Sequence, residues 1–324
     1  MRNPDPVPEA HGLHPRRERR RRRLRNLKRV PILPSLITLG NLFCGFLAMA
    51  KVADAVMLSA AGQPHPLFST KVVDVLEAAS ILIFVAMIFD ALDGTVARLT
   101  KQSTKFGAQL DSLSDVVTFG VAPAFLAKVL IEFHQRPPID LLPWHPKLYY
   151  VAAALYVACA ALRLARFNVE SAGPADEDHK EFKGMPSPAA AATICALVAY
   201  RCAPHERSDP SSWLLPAGTN DLIVIAMPFS LVIVGLLMVS RLPYPHLMYQ
   251  LVKKRHSFGM LLGLLAVAGF AALEWQFALL LLTQVYLLAG FVIGVYRYAT
   301  TRSLDAPKPA QIVKLPLDQN PNQP

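Results

Sequence analysis

The chain has 324 residues, a formal net charge of +10 and 53% hydrophobic residues, with a mean hydropathy of +0.34. Its hydrophobic residues fall in long blocks, which excludes the scattered pattern of a soluble core and places the chain in a bilayer. The four cysteines, Cys44, Cys159, Cys195 and Cys202, have no ligand-like spacing and fall in or beside those blocks, so they read as packing residues rather than a metal or redox centre.

Residues 1–30 are polar and basic, with an arginine run of Arg16, Arg17 and Arg19 to Arg23, then Arg25, Lys28 and Arg29. Such a run suits nucleic acid in some proteins. Directly before a membrane block it suits a topological anchor that also attracts anionic lipid headgroups, and no nucleic-acid partner is expected. The first block lacks a small-residue cleavage pattern, so it is expected to stay as a membrane helix and not be removed as a signal peptide.

Blocks of about 18 to 24 residues, enough to cross roughly 30 Å of hydrocarbon as a helix, can be drawn at 33–51, 74–97, 107–131, 148–168, 187–203, 221–241, 257–274 and 277–297. The fifth is short and rich in alanine, and only Glu274 to Gln276 separate the last two. The expectation is an all-α, polytopic transmembrane bundle of six to eight spans. With eight spans and both ends inside, all but seven of the 33 Lys and Arg lie on inner segments or inner helix ends; the exceptions are Lys51, Lys71, Lys128, Arg136, Lys147, Arg201 and Arg207. Retention of positive loops on the cytoplasmic side then puts Asp90 to Asp115 at the cytoplasmic face of the cell (inner) membrane. The tail 301–324 is polar and proline-rich and reads as disordered. No internal repeat is evident, and the loops are too short for a separate soluble domain.

From Asp90 to Asp115 the sequence runs DALDGTVARLTKQSTKFGAQLDSLSD. Four carboxylates at a membrane edge are expensive unless paired or bound to a cation. On helices, Asp90 with Asp93 and Asp111 with Asp115 each project from one face, and Gly107 lies one turn before Asp111. A turn near Thr100 to Lys105 folds the second and third spans into a hairpin on which the two acidic faces can meet. All-oxygen ligation suits a hard divalent ion such as Mg²⁺ or Mn²⁺ rather than zinc, and two such ions suit displacement at phosphorus. Gly94 and Ala97 keep the helix surface low, so that a substrate or a second helix can approach, and the planar fork of Arg98 suits a phosphate. Read from the residues alone, an ion pathway and ordinary helix-end charge beside Lys101 and Lys105 stay open as alternatives.

The pattern DxxDGxxAR, eight residues, then GxxxDxxxD resembles without gaps the signature of the CDP-alcohol phosphotransferases, with Asp90, Asp93, Gly94, Ala97, Arg98, Gly107, Asp111 and Asp115 at its fixed positions. The resemblance implies that Asp90, Asp93 and Asp111 hold two divalent cations, that Asp115 completes the site and serves as the base, and that Gly94, Ala97, Arg98 and Gly107 line the CDP group. It also implies a homodimer. LPSLITLGNLFCGFLAM from Leu33, LRLARFNVE from Leu162, FKGMPSPAAA from Phe182 and MVSRLPYP from Met238 resemble the membrane-type phosphatidylserine synthases. Ser35 stands where that group often has Asn. The family-like membrane domain is set at 31–245, with additional transmembrane helices over 246–300 that carry no assignable motif. A different phosphatidylserine synthase design uses paired HxKxxxxD motifs; His145 and Lys147 begin that pattern, but Ala152 breaks it.

The implied reaction takes CDP-diacylglycerol and L-serine to a phosphatidyl product and CMP through a ternary complex, with Asp115 drawing the serine proton. Arg163, Arg166 and Asn168 gather at the inner end of the fourth span and suit the serine carboxylate and amine; their alternative use is positive-inside anchoring. Pro186 and Pro188 shape the entrance to the fifth span, and Lys183 suits a phosphate. The alternative acceptors are glycerol phosphate, inositol phosphate and choline, and the alternative from another class is an ion or solute transporter.

Overall fold

The computed structural model describes residues 32–60, 66–99, 104–134, 145, 147–171, 184–203, 219–242, 244, 269 and 274–304. Among them the structure is helical and holds no strand. The helices are α1 (Ile32–Ala60), α2 (Pro66–Leu99), α3 (Lys105–Asp115), α4 (Ala122–His134), α5 (Lys147–Ser171), α6 (Ser187–Arg201), α7 (Thr219–Val239) and α8 (Trp275–Leu304). A π-helical segment, Val116–Val121, joins α3 to α4 in one rod, with the Ala122 N–H donating to the Val117 carbonyl.

Six of the eight expected blocks form helices long and apolar enough to cross a membrane: Leu33–Ser59, Lys71–Val96, Phe106–His134, Lys147–Glu170, Asp221–Val239 and Trp275–Arg297. The fifth block becomes α6, whose 15 residues span only about 22 Å at 1.5 Å per residue. Pro188 sits in its first turn, where a missing N–H costs no helical bond, and Pro186 stands at the N-cap. The chain entering α6 is clasped to the end of α7. Gly184 donates its N–H to Leu242 O at 2.9 Å, and Met185 donates to Leu237 O at 3.1 Å. Gly184 has φ +92, and a Cβ there would press on the carbonyls of Met238 and Ser240. Nearly all of the seventh block, the basic segment and most of the tail lie outside the described residues, although α8 continues to Leu304, past the expected start of the tail.

Between lipid-bathed helices there is little hydrophobic drive to associate, so close packing of small residues matters more. Gly40 of α1 lies under the ring of Phe89 on α2, and Thr38 meets Asp93, so α1 and α2 run antiparallel. Gly45 sits against Thr118 of the π-helical segment, Gly120 against Ala160 of α5, and Gly235 of α7 against Tyr156. The core they enclose includes the fully buried Tyr156, Tyr200, Phe119 and Ile194, while Leu36, Phe43 and Phe46 of α1 face outward, as lipid contact requires. The Tyr156 hydroxyl donates to Phe119 O at 3.0 Å, which meets the need of a buried phenol for a partner. All four cysteines are free and buried, in keeping with a packing role.

At one end of the bundle His134 donates from Nδ1 to Leu130 O at 2.8 Å and accepts at Nε2 from Arg201 at 2.6 Å, tying α4 to α6. The start of α1, the ends of α2, α5 and α7, the start of α6 and all of α3 meet at the other end. The carboxylates are there.

Candidate active site

α2 delivers Asp90 and Asp93 on consecutive turns, and α3 delivers Asp111 and Asp115 one turn apart. Most of the expected turn, residues 100–103, lies outside the described residues, between the end of α2 at Leu99 and Thr104 at the start of α3. Thr104 caps α3, accepting from the Gly107 N–H at 3.1 Å, so Gly107 belongs to the first turn that starts the acidic helix. The hairpin brings together oxygens of Asp90, Asp111 and Asp115, all within 4.8 Å of one another. Asp115 is buried, and Asp90 and Asp111 are half-buried. Asp93, also buried, accepts from the Thr38 hydroxyl, which has the Pro34 carbonyl as a second acceptor at 3.0 Å.

Three carboxylates so close, with no histidine or cysteine in the group, form a hard all-oxygen donor set that fits a divalent cation. Gly94 is exposed, and a Cβ built on it meets no atom within 4 Å. Among the described residues its missing side chain therefore serves no helix contact, which leaves the low surface beside the carboxylates for a ligand. Ala97 and Arg98 lie on the last turns of α2, but their side chains are outside the described set, as is Lys183.

The three residues expected to read the acceptor reach the same end of the bundle but hold different partners. Arg163 donates to the Ser187 hydroxyl at the start of α6 and is an electrostatic neighbour of Asp115. Its Nε is buried without a hydrogen-bond acceptor among the described residues. Arg166 instead donates to Val239 O at 3.1 Å and pairs with Glu170 at 3.5 Å, which ties α5 to the end of α7. Asn168 contacts Ser112, between Asp111 and Asp115 in the chain.

Reasoning from the motif missed the contribution of α1. Thr38 contacts Asp93, and Asn41 Nδ2 donates to Asp115 Oδ1 at 3.2 Å. The Ser114 hydroxyl donates to Thr38 O at 3.3 Å, and the Thr118 hydroxyl donates to Asn41 O at 3.3 Å. A signal was present: Ser35, Thr38 and Asn41 recur every three residues inside an apolar block, and polar groups inside a membrane segment point inward to partners.

Residues 31–239 match the family model described as CDP-alcohol phosphatidyltransferase. The chain is similar to a CDP-diacylglycerol–serine O-phosphatidyltransferase of Methanocaldococcus jannaschii, at 31% identity over 65% of this chain and 81% of the relative. It is similar to a protein of the same name from Mycobacterium tuberculosis at 36% identity, over 47% of this chain and 51% of the relative. It is also similar to an archaetidylserine synthase of Methanothermobacter thermautotrophicus at 37% identity, over 52% of this chain and 59% of the relative. The match thus spans about half the length of the mycobacterial protein and most of the Methanocaldococcus one. Since the family match takes in α1 through α7, the carboxylate hairpin included, the chain belongs to the CDP-alcohol phosphatidyltransferase family.

Proposed function

We propose that this protein transfers the phosphatidyl group of CDP-diacylglycerol to L-serine, giving phosphatidylserine and CMP. The observation that carries the reading is the convergence of Asp90, Asp111 and Asp115 beside the open surface at Gly94, in a chain whose named relatives include serine phosphatidyltransferases. The family is generally divalent-metal dependent. Asp90, Asp93, Asp111 and Asp115 are the residues that would hold two cations, Mg²⁺ or Mn²⁺. Bound there, the ions would offset the repulsion among the carboxylates and neutralise charge on the diphosphate.

Gly94, Ala97, Arg98 and Gly107 line the CDP group in this reading. Asp115 takes the proton of the serine hydroxyl as its oxygen bonds to the lipid-side phosphorus, since neutral serine is a weak nucleophile. The bond from that phosphorus to the bridging diphosphate oxygen breaks, and CMP leaves with the electron pair. Arg163 is the group for the serine carboxylate, because its Nε is a buried donor that lacks an acceptor among the described residues. Arg166 and Asn168 hold the surrounding helices in place. The carboxylate end of the bundle faces the cytoplasm, residues 1–30 anchor it there, 31–245 form the catalytic membrane domain, and the protein works as a homodimer.

The test is a panel of labelled acceptors offered to the purified chain with CDP-diacylglycerol. Serine is expected to enter lipid. Incorporation of glycerol phosphate, inositol phosphate or choline in its place would replace the acceptor while keeping the reaction class.

A further inference from the structure

Asn41 lies outside the carboxylate motif, in the middle of an apolar helix, and none of it is exposed. Its amide nitrogen donates to Asp115 Oδ1 at 3.2 Å. The other end of the same amide, Oδ1, is buried with no donor among the described residues. An asparagine kept only to join helices would be expected to satisfy both ends, because a buried acceptor left unpaired is destabilising. Here the amide is turned so that Asp115 receives its N–H while its own carbonyl goes without.

The surrounding chain fixes where Asn41 stands beside Asp115. Gly45, one turn further along α1, has no Cβ to hold off Thr118. α1 therefore packs closely on the π-helical segment that begins directly after Asp115. Thr118 donates to the main-chain carbonyl of Asn41, and Ser114 donates to that of Thr38, each at 3.3 Å. Backbone contacts thus bracket Asp115 on both sides, and Asn41 supplies the one side-chain contact from α1 to its carboxylate among the described residues.

We propose that Asn41 is a positioning residue for the transfer reaction: by holding one oxygen of Asp115, it presents the other to the acceptor hydroxyl. The inference rests on the reading of Asp115 as the base. It assigns to α1 a part in catalysis that the carboxylate motif does not contain.

The test compares the purified full-length chain with Asn41→Leu, which has a similar shape and no polar end, and with Asn41→Gln, which restores a donor. Asn41→Leu removes the orphaned carbonyl, so its melting temperature should equal or exceed that of the wild type. Its kcat should fall roughly 10- to 100-fold, the effect of one hydrogen bond to a charged group in the transition state. KM for CDP-diacylglycerol and for serine should stay within about twofold, since binding is untouched. Asn41→Gln should recover part of kcat. An Asn41→Leu chain with undiminished kcat, or one that fails to fold, overturns the proposal, the second by assigning Asn41 to stability. A wild-type chain that releases no CMP in the presence of serine refutes the functional reading itself, whatever the variants do.

Discussion

Asn168 near the end of α5 and Ser112 in the middle of α3 are held together at the serine hydroxyl: Asn168 Nδ2 donates to Ser112 Oγ at 3.0 Å, and Oγ lies 3.1 Å from Asn168 Oδ1. Ser112 follows Asp111 and is three residues before Asp115, so this contact ties the acidic helix to α5, as Asn41 and Thr38 tie it to α1. The role proposed for Asn168 is therefore through α3 and not by direct contact with the acceptor. Asn168→Ala and Ser112→Ala should each lower kcat/KM for serine about fivefold, for a contact of roughly 1 kcal/mol. The double variant should be little worse than either single one. Steady-state kinetics on the four proteins measures this, and additive losses would mean that Asn168 has a separate role.

Arg163→Lys should raise KM for serine roughly 10- to 100-fold while leaving KM for CDP-diacylglycerol unchanged. Lysine keeps the charge near Asp115 but loses the planar fork that holds Ser187 and offers a second donor to a carboxylate. Competition by serine analogues lacking the carboxylate gives a second check, because they should lose less affinity in the variant than serine does.

Metal dependence follows from the donor set. Chelation should abolish CMP release, and Mg²⁺ or Mn²⁺ should restore it. Asp111→Ala should lose activity by about 1000-fold or more, since it removes a ligand and opens the carboxylate group. Asp90→Asn should raise the metal concentration needed for half-maximal rate by roughly tenfold or more. Titrating activity against metal in each variant measures both.

The clasp between α6 and α7 predicts a stability effect away from the chemistry. Gly184→Ala places a methyl group on the Met238 and Ser240 carbonyls at φ +92, and should destabilise the protein by about 1–3 kcal/mol. Thermal unfolding in detergent would show a lowered midpoint, with near-normal turnover per folded molecule at low temperature.

The spans and the carboxylate hairpin were legible because both are local in sequence. Apolar runs mark membrane helices, and the pairs Asp90 with Asp93 and Asp111 with Asp115 already lie at helical spacing. Helix ends were less legible. α1 runs to Ala60, beyond the exposed Lys51 and Asp54, because Val52 and Ala55 still pack in the core there. α6 has the composition of a span without the length. The contacts of Thr38 with Asp93 and Asn41 with Asp115 join residues 55 and 74 positions apart, a separation at which spacing carries no information. The π-helical segment has no marker in VVTFGV either, although it carries Thr118, which bonds the Asn41 carbonyl three residues after Asp115.

The most direct measurement of the central claim is CMP release from CDP-diacylglycerol by the purified chain, with and without L-serine, alongside Asp115→Asn. The account predicts release that depends on serine and rises with it in the wild type, and none above background in the variant. Release that ignores serine, or that survives intact in Asp115→Asn, would contradict it.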